Sequence, residues 1–174
     1  MKKIITAALV ALLLVSISAC AFAATGLGSY TKTTSTPATA DAAASVSVNT
    51  TICAVTLDAE GKIVEIDFDV IQPKSNWETA VVETQTKLEL KEGYNMAAYG
   101  QPNVEGGTVK EWYIQSAAFS AHVVGKTADE IKGMETKEVN AHLISTDEAL
   151  LAAGCTMQIT DICAVVAEAV ANAR

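Results

Sequence analysis

The sequence predicts an α+β fold, a small antiparallel sheet with helices packed mainly on one face. Three observations carry this. Residues 45–71 contain two strand-like runs around a glycine turn. Residues 108–154 carry three starts with helix-capping spacing. The chain closes on an Ala- and Val-rich helix over 161–174. Strands followed by helices place the helices against one sheet face.

The elements follow in order. Lys2 and Lys3 precede an apolar run over 4–19. That run is shorter than the ~20 residues a membrane span needs, so it reads as an export signal. Two cleavage readings compete. Ala21-Phe22-Ala23 has the A-x-A form, making 1–23 the signal. Ile17-Ser18-Ala19-Cys20 has a lipobox pattern, making 1–19 the signal and Cys20 a lipid anchor. Both place the protein outside the cytoplasm, secreted or anchored on the envelope. Residues 24–44, rich in Ala, Thr and Ser, are a flexible lead or a loosely held first strand. Residues 45–174 form the single domain, with enough chain for a core of its own.

Residues 46–57 and 63–71 should pair about Gly61, with Val64, Ile66, Phe68 and Val70 inward. Glu65, Asp67 and Asp69 then face solvent, spaced about 7 Å apart and too open to wrap one cation. Residues 78–92 read weakly as helix and 92–107 as loop. Thr108 and Glu111 have capping-box spacing ahead of a helix whose stripe is Trp112, Ser116, Phe119 and Val123, closed by Gly125. Thr127 with Glu130, and Ser145 with Glu148, cap two short helices, the second ended by Gly154. "CTMQI" reads as a strand carrying Thr156, and Thr160 as the N-cap of the terminal helix.

Composition excludes some functions. The formal charge is −8, and loss of Lys2 and Lys3 makes it more negative by two. A nucleic-acid binder needs clustered Lys and Arg, so no nucleic-acid partner is expected. His122 and His142 are the only histidines and lack metal-ligand spacing. No phosphate loop follows a strand, and no catalytic residue is identified. Cys53, Cys155 and Cys163 read as small buried hydrophobes. A thiol sensor at Cys155 or Cys163 is a weaker reading, and those two are not expected to pair with each other.

The hairpin "VTLDAEGKIVEIDFDVI", the stretch "VVGKTADEIKGM" and the tail "AVVAEAVANA" together resemble the FMN-binding domain family of bacterial envelopes. That family includes lipoproteins and the C subunit of sodium-translocating NADH:quinone reductase. The resemblance implies an extracytoplasmic flavin-dependent electron carrier with a membrane electron-transfer partner. The alternative is a flavin-free binding or surface-interaction module on the same fold. Family members carry FMN on the threonine of an S-G-A-T sequence before the last helix. Two registers place Ala153-Gly154-Cys155-Thr156 or Met157-Gln158-Ile159-Thr160 on that motif, so Gly154, Thr156 and Thr160 are the cofactor-binding candidates. Neither register keeps the whole motif, so FMN is the implied cofactor without covalent attachment. A phosphate at the helix start near Asp161 and stacking on Trp77, Trp112, Tyr94 or Tyr99 would suit noncovalent binding.

Overall fold

The computed structural model describes residues 24–76, 85–99 and 108–174. The expected export signal with Cys20, and Trp77, lie outside the described residues. So do parts of the expected helix over 78–92 and loop over 92–107.

The fold is α+β. Four strands make the main sheet: β1 (Ala24–Thr36), β2 (Ser45–Leu57), β3 (Ile63–Ile71) and β4 (Lys74–Asn76). β2 is central. β1 pairs with it antiparallel along all of its length, from Ala24 opposite Leu57 to Thr36 opposite Ser45. On the other side β3 pairs with Thr50–Leu57 and β4 with Ser45–Ser47. Residues 24–36 of the lead are therefore a complete sheet strand. A second, two-stranded sheet joins β5 (Thr136–Val139) to β6 (His142–Ser145). The helices are α1 (Lys87–Leu90), α2 (Trp112–Val123), α3 (Ala128–Lys132), α4 (Glu148–Ala152) and α5 (Thr160–Ala171).

The hairpin about Gly61 forms as its alternation dictates, with one correction. Ile66, Phe68 and Val70 are buried, but Val64 is 48% exposed and Ile63 takes the inward place. A β-bulge is the cause. Leu57 pairs with Ile63 while Thr56 pairs with Glu65, so Val64 is the extra residue and alternation inverts there. Ile63 is fixed by exchanging backbone hydrogen bonds with Gly125 and Lys126, just past α2.

α5 lies against β1 and β2 and buries Ile162, Val165, Val166 and Ala169. Gly26 and Gly28 make room for it. A Cβ at Gly26 would stand 1.9 Å from the Ala169 carbonyl oxygen, and one at Gly28 would stand 2.3 Å from that of Val165. The same helix covers the edge of β1. Glu168 accepts the Ser29 N–H, Asn172 donates to the Leu27 carbonyl, and Arg174 exchanges backbone bonds with Thr25. An open strand edge is a template for another chain, and these bonds close half of this one.

α2 presents its expected stripe. Trp112, Ser116, Phe119 and Val123 are all buried. Phe119 and Trp112 both meet Phe68 edge to face, at 5.6 and 5.7 Å between ring centres. The outer sheet face carries exposed Leu27, Ile52 and Val64. No described helix is long and apolar enough to cross a membrane.

Two of these helix starts differ from expectation and one agrees. α2 begins after Glu111, and Thr108 does not cap it. The Glu111 carboxylate instead accepts the Met96 N–H at 3.0 Å, a longer-range bond that spacing cannot show. α4 is capped by Asp147, which accepts from Ala149 and Leu150, while Ser145 ends β6 and accepts from Asp147. α3 keeps its capping box, Thr127 with Glu130. Asp147 also lies 3.3 Å from Nε2 of His122.

Candidate functional site

The terminal segment places the three sequence-derived candidates first. Gly154 has φ +94°, and its N–H bonds back to Leu151 while that of Cys155 bonds to Leu150. It ends α4 as expected, because glycine reaches the left-handed region cheaply. Residues 155–159 are not a strand. Their β propensity finds no partner strand, and Ile159 makes a single backbone bond to Leu143. Thr156 is 2% exposed, so it is sealed rather than partly buried. Its N–H bonds to Oε1 of buried Gln115 at 2.8 Å. Thr160 is the first helical residue and caps nothing; Ile159 stands at the N-cap position without a side-chain bond. The Thr160 hydroxyl accepts from Gln158. Gly154 and Thr156 are buried and Thr160 is half-buried, and the three sit at the joint between α4 and α5.

The thiol reading is corrected by burial. Cys53, Cys155 and Cys163 are free and buried. Desolvation raises Cys155 to about 12, with a Met157 backbone bond opposing and Cys163 adding. It raises Cys163 to about 11. A sensor thiol needs a lowered value.

A cleft of about 300 Å³ opens near this joint, where the far half of the sheet passes the segment 86–99. That segment is short and held at many points. Thr86 and Glu89 form a capping box at α1, and Asp69 on β3 accepts the Leu88 N–H at 3.2 Å. Asp69 is thus a tie between sheet and helix as well as a surface carboxylate. After α1 the chain bends through Lys91 and Asn95, at φ +48° and +54°. Two 3₁₀ turns follow, Lys91–Tyr94 and Met96–Tyr99. The bend brings Tyr94 and Tyr99 face to face, with ring centres 4.9 Å apart and planes 6° from parallel. The Tyr94 hydroxyl donates to Gln72, and Nε2 of His142 lies 3.0 Å from the Tyr99 carbonyl.

Lys87 is the centre of the cleft. Its ammonium stands 4.7 Å from the Tyr94 ring centre and 5.6 Å from that of Trp112. Cations are attracted to such faces. Burial strips its water and lowers its pKa from 10.5 to about 8, with Asp69 pulling partly back. Burial also raises the Tyr94 hydroxyl, with Tyr99 adding to the shift. Lys32 from β1 and Asn49 from β2 add to the polar lining. Asn49 Oδ1 is buried without a hydrogen-bond partner. None of the described residues lining the cleft is Asp or Glu, although the chain as a whole is acidic.

Of the aromatic candidates, Tyr94, Tyr99 and Trp112 meet here. Lys87, Lys32 and Asn49 were not singled out by sequence. The Thr86–Glu89 spacing marks a helix start beside Lys87, but nothing local ties Lys32 or Asn49 to the tyrosines. No group of carboxylate, His and Cys side chains among the described residues is arranged to hold a metal. No protein-family model, curated protein or solved structure matches this chain.

Proposed function

We propose that the chain is an extracytoplasmic binding module that holds a flat, anionic heteroaromatic in this cleft. Flavin mononucleotide, held noncovalently, is the leading candidate. The observation that carries the reading is charge placement. An acidic chain lines one cleft with two lysines and three aromatic rings and without a described carboxylate. Ring faces accept a flat ligand, and Lys87 balances its charge. Asn49 Oδ1 needs a donor, and a ring N–H supplies one. The volume, at the small end for ligand cavities, suits one ring system rather than a dinucleotide.

In this reading the flavin, when bound, supplies electron transfer between a membrane partner and an extracytoplasmic one. The chain's residues hold the ring and set its charge environment. Burial of Thr156 supports noncovalent holding. It also favours the second reading, a flavin-free module that takes another acidic aromatic in the same cleft. Export belongs to the proposal too, with the mature chain starting at Ala24 or at a lipid-bearing Cys20. The intact mass of the mature N-terminus separates these two starts.

Titration with FMN tests the cofactor. Flavin fluorescence should be quenched at micromolar protein, and Lys87→Met should weaken binding at least about tenfold. Riboflavin, which lacks the phosphate, should bind more weakly. No quenching up to about 1 mM would sink the flavin reading. An effect of Lys87→Met on riboflavin equal to that on FMN would argue against charge pairing with the phosphate.

A further inference from the structure

Lys87 has a second chemical capacity that charge balance does not use. Its amine stands in a cleft open to small molecules, over ring faces rather than against a carboxylate. A poorly hydrated lysine among rings spends more time as the neutral amine, which is a nucleophile toward carbonyl carbon. We propose that Lys87 captures small aromatic aldehydes, forming an imine at Nζ with the ligand ring held beside Tyr94, Tyr99 and Trp112. This shares the cleft with the flavin reading but not its ligand, since flavin carries no aldehyde or ketone for an amine to condense with.

The step balances without an oxidant or reductant. The Nζ lone pair adds to the carbonyl carbon, and the C=O π pair moves to oxygen, which takes up a proton. The resulting carbinolamine loses its hydroxyl and the remaining Nζ proton as water, and the C=N bond forms. Amine and aldehyde become imine and water. Protonation of the imine restores a positive charge where the ammonium stood, over the faces of Tyr94 and Trp112. Those faces stabilise the iminium as they did the ammonium.

The charged and titratable groups around the imine come from several elements. Asp69 on β3 favours the cation. Lys32 on β1 opposes it, and His142 on β6 and the two tyrosines are the remaining titratable groups of the lining. Burial brings Lys87 to about 8, so near neutral pH a minority of chains, of order a tenth, carries the free amine. Ordinary lysines carry roughly a few ten-thousandths.

The test uses the full chain with benzaldehyde and cyanoborohydride near neutral pH, followed by peptide mass mapping of every lysine over time. Lys87 should be labelled at least about tenfold faster than any other lysine. The advantage should shrink to about twofold near pH 10.5, where roughly half of every ordinary lysine is free as well. A small aliphatic aldehyde should show a smaller preference for Lys87. Tyr94→Leu, with its circular dichroism unchanged, should lower the rate at Lys87 and at no other site. Labelling of Lys87 at the rate of the exposed lysines, or slower, overturns the proposal. Equal preference for the aliphatic probe overturns the ring seat. Flavin binding without fast labelling removes only this inference, and fast labelling without flavin binding removes only the other.

Discussion

β1 changes character at Ser29. Before it, Gly26 and Gly28 lie directly under α5, and Leu27 and Thr25 bond to the end of that helix. After it, Tyr30–Thr36 is exposed at every residue, and Lys32 and Thr34 line the cleft. The same strand thus builds a close contact with α5 and one wall of the cleft. Where two glycines let a helix backbone touch the sheet, the helix itself fills the inner face of β1. Where the helix begins instead of crossing, the sheet stands clear of it and the space is lined by Lys87 and the tyrosines.

That contrast can be broken from either side. The largest loss should come from the aromatic centre of the packed half. Phe68→Ala removes two edge-to-face contacts and should cost about 3–5 kcal/mol by urea unfolding, while Glu65→Gln should cost under about 0.5. Equal effects would mean that the sheet's faces are misassigned. Gly26→Ala puts a methyl against the Ala169 carbonyl and should cost about 3 kcal/mol. Thr33→Ala, on the exposed half of β1, should be neutral within about 0.5 kcal/mol.

The cleft half should respond with the opposite sign. Lys87→Met removes a poorly hydrated charge and should stabilise the fold by about 1–2 kcal/mol at neutral pH. Since the folded pKa lies below the unfolded one, the charge penalty is full below pH ~8. Between about 8 and 10.5 the folded chain releases a proton that the unfolded chain keeps, so wild-type stability rises relative to the variant. Melting curves of the pair should converge across that window. Parallel curves would show that burial does not perturb this lysine.

The smallest effects sharpen the terminal joint. Asp147→Ala should cost about 1 kcal/mol, because it frees two N–H groups at the start of α4. That cost should fade in acid. The Leu150 backbone bond, partly offset by desolvation and helped by His122, holds the Asp147 pKa low, and its contribution is lost as pH falls through the folded value. Thr160→Ala should cost under about 0.5 kcal/mol, as expected for a first-turn residue whose hydroxyl satisfies no backbone donor. A larger loss at Thr160 than at Asp147 would reverse the assignment of caps.

These differences show what a sequence carries. Alternation in "IVEIDFDVI" made the hairpin legible, since each residue reports its own side of the pleat. The bulge at Val64 was not legible, because it is set by how Ile63 bonds to Gly125 and Lys126, far away in the chain. The α2 stripe and the Thr127 capping box were local and came out as read. Thr160 and Ser145 had the right chemistry for caps, but where each helix starts is decided by packing. Gly26 and Gly28 were not legible either, because they answer to a helix about 140 residues later. The cleft was hidden for the same reason. Lys32, Asn49, Lys87 and Tyr94 carry no shared period, and only the fold brings them together.

Thr25 and Arg174 bond to each other in both directions, at 3.4 and 3.2 Å. The path through the domain therefore returns to its starting corner, and the described fold is a closed loop missing one covalent link. Joining residue 174 to residue 24 through a short Gly/Ser bridge and opening the chain at the exposed turn beside Gly61 would give a circular permutant with every core contact intact. In such a molecule α5 and β1 become sequence neighbours, and a contact that now spans nearly the whole described chain becomes a local one.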